Sequence, residues 1–240
     1  MNSQLTTIPK DPKVLVALDF ANAEDALNFV KNFDSKACRL KVGKELFAVA
    51  GPELVKSLVK QGFDVFLDLK YHDIPNTVAK AVQAAARMGV WMVNVHALGG
   101  RKMMQAAKQA IEESENKPLL IAVTVLTSME QSDLEELGLP GTPRDNVLRF
   151  AKLAKDSGLD GVVCSAQEAA DIRSEIGNDF CLVTPGIRPA GSDVNDQKRI
   201  MTPAEAMQAG SSYLVVGRPI TQSDNPLQVL EQINQSLESL

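Results

Sequence analysis

The sequence predicts a single α/β domain folded as a (β/α)8 TIM barrel, and three observations carry that prediction. Eight short apolar or β-branched runs alternate with longer segments of helical periodicity. Glycines follow several of the predicted helices, where a left-handed residue commonly ends a helix. Polar residues stand at or just beyond the ends of most of the runs, on the face where barrel enzymes build their sites.

The first half of the chain supplies four strands and four helices in alternation. Its apolar runs predict strands at 14–19, 38–43, 65–70 and 91–96. The spacing of apolar residues between and after them predicts helices at 23–32, 52–61, 75–88 and 100–114. Gly62 and Gly89 stand where the second and third of these helices end.

The second half repeats the pattern with strands at 119–126, 161–164, 181–184 and 213–216. Helices are predicted at 145–157, 166–176, 203–209 and 226–237, with Gly158 and Gly210 as further caps. The strands are mostly continuous apolar runs, as expected where both faces of a sheet are covered. A doubly wound open sheet is the structural alternative, but no GxGxxG follows the first strand.

Composition limits the classes of partner. A chain of 240 residues with 45% hydrophobic content can bury one sizeable core, so we expect one domain over 1–240, with residues 1–12 as an N-terminal extension. The net charge of −5, with few basic runs, argues against nucleic acid or an anionic membrane as the main partner. An anionic substrate must therefore meet a local cluster of positive charge.

The cysteines and the N-terminal segment indicate a compartment. Cys38, Cys164 and Cys181 are odd in number and widely spaced, which is typical of structural, reduced thiols. The first residues lack an apolar signal core, and no apolar run approaches the roughly 18 residues needed to span a bilayer. We therefore expect a soluble, cytoplasmic protein.

A charged constellation follows the second and third predicted strands. Asp68 and Lys70 are two residues apart at the end of the third strand, so their side chains should leave the same face, and Asp73 lies in the following loop. Together the three residues read D-x-K-x-x-D. The ordinary interpretation of so short a motif is a surface ion-pair cluster. However, Lys41 ends the neighbouring strand at a similar depth, and alternating charges in a barrel mouth are costly unless paired and are often functional.

The last two predicted strands are followed by candidate phosphate ligands. Barrels often bind phosphate with the loops after strands seven and eight. The segment after the seventh strand contains Arg188, and Gly217 and Arg218 follow the eighth. A guanidinium can donate two parallel hydrogen bonds to a phosphate, and glycine permits close approach of the backbone. An exposed arginine is usually only solvated, but two arginines in these positions favour a phosphate site.

The decapeptide DLKYHDIPNT at 68–77 resembles the motif of the orotidine 5′-phosphate decarboxylase family, in its bacterial type. Further matching segments are VALDF, LKVGK, NVHA, VLTS, TPGIRP and VVGRPI, in the expected order along nearly the whole chain. The resemblance implies decarboxylation of orotidine 5′-phosphate to UMP, the last step of de novo pyrimidine nucleotide synthesis, without a cofactor.

The resemblance also implies roles for individual residues. Lys70 would protonate C6 of the pyrimidine, with Asp68 and Lys41 completing the charged chain beside it. Asp73 and Thr77 would reach into the site of a neighbouring subunit, which implies a homodimer. The other implied substrate contacts are Asp19 and Lys41 at the ribose, Thr127 at the pyrimidine, Gln197 between phosphate and base, and Arg188 in a segment that folds over the ligand as a lid.

The residues themselves offer no obvious metal or cofactor site. His72 and His96 are not spaced as a metal-binding pair, and a structural, hydrogen-bonded role is the ordinary interpretation of His96. Lys70 could in principle form a Schiff base, but the carbonyls of such a substrate are amide-like and poorly electrophilic. We therefore expect no metal and no cofactor, with Lys70 acting as an ammonium.

Two other functions remain open. A metal-assisted sugar-phosphate decarboxylase, aldolase or epimerase of the same barrel group would share D-x-K-x-x-D. Lys41 argues against it, because a magnesium site favours a carboxylate there and Glu45 lies too far along the chain. A non-catalytic barrel that senses nucleotides would bind UMP without turnover.

Overall fold

Eight parallel strands form a closed barrel in the computed structural model, which describes residues 11–189 and 201–238. Each strand pairs with the next along the chain, and the eighth pairs with the first. The strands are β1 (Val14–Leu18), β2 (Arg39–Gly43), β3 (Val65–Tyr71), β4 (Met92–His96), β5 (Leu119–Val123), β6 (Gly161–Val163), β7 (Cys181–Thr184) and β8 (Tyr213–Val216). The predicted (β/α)8 barrel is confirmed, and the open-sheet alternative is excluded.

Helices connect the strands around the outside of the barrel. They are α1 (Ala23–Val30), α2 (Lys44–Lys60), α3 (Pro75–Arg87), α4 (Gly100–Glu112), α5 (Gln131–Glu136), α6 (Pro143–Asp156), α7 (Ala169–Ile176), α8 (Pro203–Gln208), α9 (Arg218–Thr221) and α10 (Pro226–Glu238). All the predicted helices are present. Gly62 and Gly158 have φ angles of 91° and 84°, in the left-handed region predicted for these caps.

Three features of the helices were not predicted. The helix α2 begins at Lys44 rather than Pro52, because Gly51 with φ of 65° joins two helical segments across a kink. Pro52 begins the second segment, where its missing N–H costs nothing. The helices α5 and α9 have only 6 and 4 residues, too short for a periodic pattern to reveal them.

The strand β5 is shorter than predicted, and its end shapes the upper part of the barrel. It ends at Val123, three residues before the predicted boundary. The next residue, Thr124, is fully buried and donates a hydrogen bond from Oγ1 to the Val163 carbonyl oxygen at 2.9 Å. The chain then leaves the sheet, so Thr127 lies in a turn and not at a strand end.

The core has two parts, on the two faces of the barrel wall. Alternate residues of each strand pack outward against the helices in the larger cluster, as Val14, Val16 and Leu18 of β1 do. A small inner cluster fills the lumen and includes Phe66 and Met92. The lumen is therefore packed below the level at which the polar residues begin.

Arg39 closes the opposite, N-terminal end of the barrel. Its guanidinium lies 4.2 Å from the ring centroid of Trp91 and 4.9 Å from that of Tyr213. It also pairs with Asp11 at 2.8 Å and Asp64 at 3.1 Å. These contacts tie Asp11, near the end of the predicted N-terminal extension, to the barrel; residues 1–10 lie outside the described residues.

The three cysteines lie in or against the packed core of the barrel. All three cysteines are free, and Cys38 and Cys164 are buried. Burial raises the pKa of Cys38 to about 12 and that of Cys181 to about 11, so both thiols are protonated at neutral pH. Within the described part of the chain, no helix is long and apolar enough to cross a membrane.

Candidate active site

A cavity of about 600 Å³ lies at the carboxyl ends of the strands. Most of the predicted site residues line it. They are Asp19, Lys41, Asp68, Lys70, Thr127, Arg188, Gly217 and Arg218. Residues that the sequence analysis did not single out also contribute, among them Phe20, Val125 and Gln222. The cavity thus joins the charged constellation and the candidate phosphate ligands in one site.

Lys41 lies deeper in the barrel than the residues it pairs with. In the strand register it stands beside Ala17 of β1 and Phe66 of β3, one inward-facing layer below Asp68. Its four-carbon side chain spans that layer, so that Nζ lies 3.6 Å from Asp19 Oδ1 and 3.6 Å from Asp68 Oδ2. The predicted proximity is confirmed, although Lys41 is in the middle of β2 and not at its end.

Asp68 is the centre of the charged network. Its Oδ1 accepts hydrogen bonds from Lys70 Nζ at 2.6 Å and from Asn94 Nδ2 at 2.7 Å, while Oδ2 faces Lys41. Burial alone would raise the pKa of Asp68, but the charges of Lys41 and Lys70 and these two hydrogen bonds outweigh burial and lower it below the ordinary value. The carboxylate is therefore ionised at neutral pH.

Lys70 departs from the geometry that the sequence suggests. Regular alternation in a strand would place Asp68 and Lys70 on one face, but Lys70 has φ of 53° and is the one non-glycine residue with positive φ in the described part of the chain. The register of β3 against β4 shifts between Leu67 and Tyr71, which marks a bulge. The Lys70 ammonium nevertheless reaches Asp68, so the predicted pair is confirmed for a different reason.

His96 has a local structural role at the end of β4. Its Nδ1 accepts a hydrogen bond from the Leu98 N–H at 3.3 Å, and its ring stacks on that of His72 with centroids 5.6 Å apart. Burial, followed by the charges of His72, Lys70 and Lys44, lowers the pKa of His96 to about 4. The ring is neutral at neutral pH, with its proton on Nε2.

The two arginines differ in burial and in their partners. Arg188 is buried, and its Nη1 donates to the Ile187 carbonyl oxygen at 2.9 Å, while its Nε has no hydrogen-bond partner among the described residues. Burial, and then the like charge of Arg218, lower the pKa of Arg188. Arg218 begins α9 directly after Gly217. A buried guanidinium with an unused donor beside a second cation is an arrangement suited to an anion.

Gly217 lines the cavity directly before α9. Its φ is −106°, and a Cβ there would lie 3.5 Å from the Ala17 Cβ and from Asp19 Oδ2, an ordinary contact distance. Without a side chain at this position, the backbone is open to close approach from the cavity.

Asp73 and Thr77 both lie outside this cavity. Both are exposed, Asp73 in the loop after β3 and Thr77 in the first turn of α3. The Asp73 carboxylate accepts from the Ile74 N–H at 2.6 Å. Neither residue lines the cavity of its own chain. Gln197, the predicted link between phosphate and base, lies outside the described residues.

Metal-binding geometry is absent from residues 11–189 and 201–238, where no group of three or more His, Cys, Asp and Glu side chains could hold an ion. Glu45 lines a second, smaller cavity of about 170 Å³ next to Lys41 and Asp68. The positive charge of Lys41 stands where a divalent cation would need an anionic ligand.

Comparison with known proteins identifies the family. The profile of the orotidine 5′-phosphate decarboxylase / HUMPS family matches residues 12–233. A protein of Hydrogenovibrio crunogenus named orotidine 5′-phosphate decarboxylase is 69% identical over 231 residues, which cover 96% of this chain and 98% of that protein. A protein of the same name from Aliivibrio fischeri is 64% identical over 232 residues, covering 96% and 99%.

A solved structure agrees with both fold and family. The crystal structure of orotidine 5′-phosphate decarboxylase from Lactobacillus acidophilus is 41% identical, with a TM-score of 0.85 over 94% of this chain and 99% of that one. The match extends over the whole barrel. The chain belongs to the orotidine 5′-phosphate decarboxylase / HUMPS family.

Proposed function

We propose that this protein decarboxylates orotidine 5′-phosphate to UMP, the last step of de novo pyrimidine nucleotide synthesis, with Lys70 as the proton donor and without a metal. The observation that carries the proposal is the chain of alternating charges, Lys41, Asp68 and Lys70, on the wall of a cavity that also holds Arg188 and Arg218. The names of the relatives support the substrate.

In the proposed reaction the bond between C6 and the carboxylate carbon breaks, and the electron pair remains on C6 while CO2 leaves. The Lys70 ammonium stabilises this developing charge and then transfers a proton to C6, giving UMP; water later returns a proton to the lysine. Its ion pair with Asp68 at 2.6 Å holds the ammonium at the cavity wall before substrate binds. A preorganised charge of this kind is most effective where charge appears only in the transition state.

Asp68 supplies a second, smaller effect. Its ionised carboxylate would face the carboxylate of the substrate, and two unit charges about 4 Å apart interact by roughly 4 kcal/mol at an effective dielectric near 20. Departure of CO2 removes this repulsion. We rank it below carbanion stabilisation, because Lys41 and Lys70 already neutralise much of the charge on Asp68.

The remaining contacts hold the substrate. Arg188 and Arg218 bind the phosphate beside Gly217, Asp19 and Lys41 bind the ribose hydroxyls, and Thr127 contacts the pyrimidine. Gln197, which lies outside the described residues, would bridge phosphate and base. Phosphate binding then helps to fix the base against Lys70, so orotidine without phosphate should show a lower kcat and not only a higher KM. Equal kcat at saturation would contradict this role.

Loss of orotidine 5′-phosphate, followed by ultraviolet absorbance with and without EDTA, tests the function. We expect rapid conversion to UMP that EDTA does not change. Activity that disappears with the chelator would favour a metal-assisted enzyme, and tight UMP binding without any turnover would favour a nucleotide sensor.

We also propose a homodimer in which Asp73 and Thr77 of each chain complete the site of the other. Both side chains are exposed and neither lines the cavity of its own chain, so both are accessible to a second chain. A carboxylate from the partner would extend the alternating charges beyond Lys70 and Lys41.

Mixing two inactive variants tests the shared site. A dimer of one Lys70→Ala chain and one Asp73→Ala chain carries both lesions in one site and none in the other. Equal mixing after subunit exchange should therefore restore about a quarter of wild-type activity. If each residue served its own chain, the mixture would stay inactive.

We further expect a cytoplasmic enzyme with one domain over 1–240, which cell fractionation and limited proteolysis test.

A further inference from the structure

Asn94 is a fully buried polar residue in the middle of β4, and no role was assigned to it from the sequence. Its amide makes two hydrogen bonds to β3. Nδ2 donates to Asp68 Oδ1 at 2.7 Å, and Oδ1 accepts from the Lys70 backbone N–H at 2.8 Å. One side chain therefore holds the carboxylate of one reactive residue and the backbone of the other.

The bulge in β3 explains why a side chain is needed here. Leu67 is in register with Val93, and Tyr71 with Val95, so three residues of β3 face Asn94 alone. The backbone of β4 cannot satisfy the extra backbone groups, and the Lys70 N–H bonds to the Asn94 side chain instead. The same bond accompanies the left-handed φ of 53° at Lys70, a conformation sparsely populated by residues with a side chain.

The chemistry of the two bonds specifies an amide. The Lys70 N–H can only donate, and the ionised Asp68 carboxylate can only accept, so the residue between them must present one acceptor and one donor. Asparagine does so, whereas a leucine would offer neither and an ionised aspartate would offer no donor. The other charged groups near this position are Lys70 on the same strand as Asp68, and Lys41 of β2; the neighbour on β5 is Ile121, which does not titrate.

From this geometry we infer that Asn94 is a positioning residue for decarboxylation, which fixes Asp68 and the Lys70 backbone so that the Lys70 ammonium is aimed at C6. The inference rests on the proposed function. It predicts that Asn94 acts on kcat and not on substrate binding, because it does not line the cavity. Small errors in the placement of a reacting group are costly, on the order of 100-fold for about 1 Å.

The test compares Asn94→Ala and Asn94→Asp with a matched control, Thr124→Val. Thr124 is equally buried and directly follows β5, and its side chain makes one hydrogen bond, to the Val163 carbonyl oxygen and not to a charged residue. For each protein, UMP-binding sites are counted by calorimetry, and kcat per binding site and KM are measured with orotidine 5′-phosphate from pH 5 to pH 9. Counting the sites separates misplacement from loss of folded protein.

We expect kcat per site to fall about 10- to 100-fold in Asn94→Ala, with KM within about threefold of wild type and Thr124→Val close to wild type. A protonated aspartate can both donate and accept, as the amide does. At the lowest pH of the series, the kcat of Asn94→Asp should therefore exceed that of Asn94→Ala by about tenfold. This difference should shrink as pH rises, because the new carboxylate ionises next to Asp68 and loses its donor.

Each outcome bears on one claim. Inactive wild type would refute the proposed function itself. If wild type is active, any one of three results would refute the inference on Asn94. Asn94→Ala could match Thr124→Val in kcat per site, or the activity that Asn94→Ala loses could lie entirely in the number of UMP sites. The third result is that Asn94→Asp shows no higher kcat than Asn94→Ala at any pH.

Discussion

Replacing Arg188 by methionine should stabilise the empty protein and weaken UMP binding at the same time. Wild-type Arg188 is 6% exposed, its Nε lacks a partner among the described residues, and Arg218 adds a like charge nearby. Methionine is a shorter but flexible, unbranched apolar side chain that carries no charge and no donor. The free protein would no longer bury a charged group with an unpaired donor, and the complex would lose a phosphate ligand.

The magnitude follows from the contacts. A buried donor without a partner costs about 1–3 kcal/mol, and the bond from Nη1 to the Ile187 carbonyl oxygen, which the variant also loses, contributes about 1 kcal/mol. The net gain is about 1 kcal/mol, or roughly 2–4 °C in Tm for a chain of this size. A hydrogen bond to a charged phosphate contributes about 1.5–3 kcal/mol, so the Kd for UMP should rise about 10- to 150-fold.

Thermal unfolding with and without saturating UMP measures both effects. The variant should melt above wild type when empty and below it with UMP, because ligand stabilises in proportion to the logarithm of its affinity. Arg149→Met is the control: Arg149 is exposed and donates to the Pro140 carbonyl oxygen at 3.0 Å, and its loss should leave both Tm values nearly unchanged. An empty Arg188→Met protein that melts several degrees below wild type would refute the reasoning.

Two further predictions concern stability away from substrate binding. Arg39→Met removes the ion pairs and ring contacts that Arg39 makes at the N-terminal end of the barrel. The free energy of unfolding in urea should therefore fall by about 2 kcal/mol, while KM stays unchanged. A changed KM would show that the two ends of the barrel are coupled. The pKa of His96 is lowered to about 4 in the folded protein, whereas a histidine in the unfolded chain takes a proton near pH 6.5. Because the unfolded chain then binds the proton more tightly, His96 contributes to the loss of stability as pH falls from about 6.5 towards 4. His96→Asn should flatten that loss in urea titrations at pH 7 and pH 5, and an identical pH dependence in the variant would contradict the assignment.

Much of the fold and site could be predicted because it depends on local pattern. Apolar runs and glycine caps can be recognised directly in the sequence. Parallel strands in a barrel bring their carboxyl ends together at one face, whatever the exact register between them. Lys41, Asp68, Lys70, Arg188 and Arg218 were therefore placed in one cavity from sequence. The motif also carried the resemblance that the family match supports.

The features that were missed depend on register and on contacts between distant segments. The bulge in β3 follows from how Leu67 and Tyr71 pair with β4, which no pattern within β3 reveals. Asn94 reads as a polar interruption in an apolar strand, and only the register places it against Asp68. Asp73 and Thr77, which we propose to complete the site of a second chain, are exposed and lie outside the cavity of their own chain.

The measurement that tests the central claim most directly is the kcat of Lys70→Ala for orotidine 5′-phosphate, with UMP affinity measured on the same preparation. Lys108→Ala is the control, because Lys108 pairs with Asp160 at 2.9 Å at a similar exposure but far from the cavity lining. Asp68 keeps Lys41 and Asn94 as partners in Lys70→Ala, so the site should still bind UMP within about tenfold of wild type. We predict a loss of kcat greater than about a thousandfold; a kcat within about tenfold of wild type would contradict Lys70 as the proton donor.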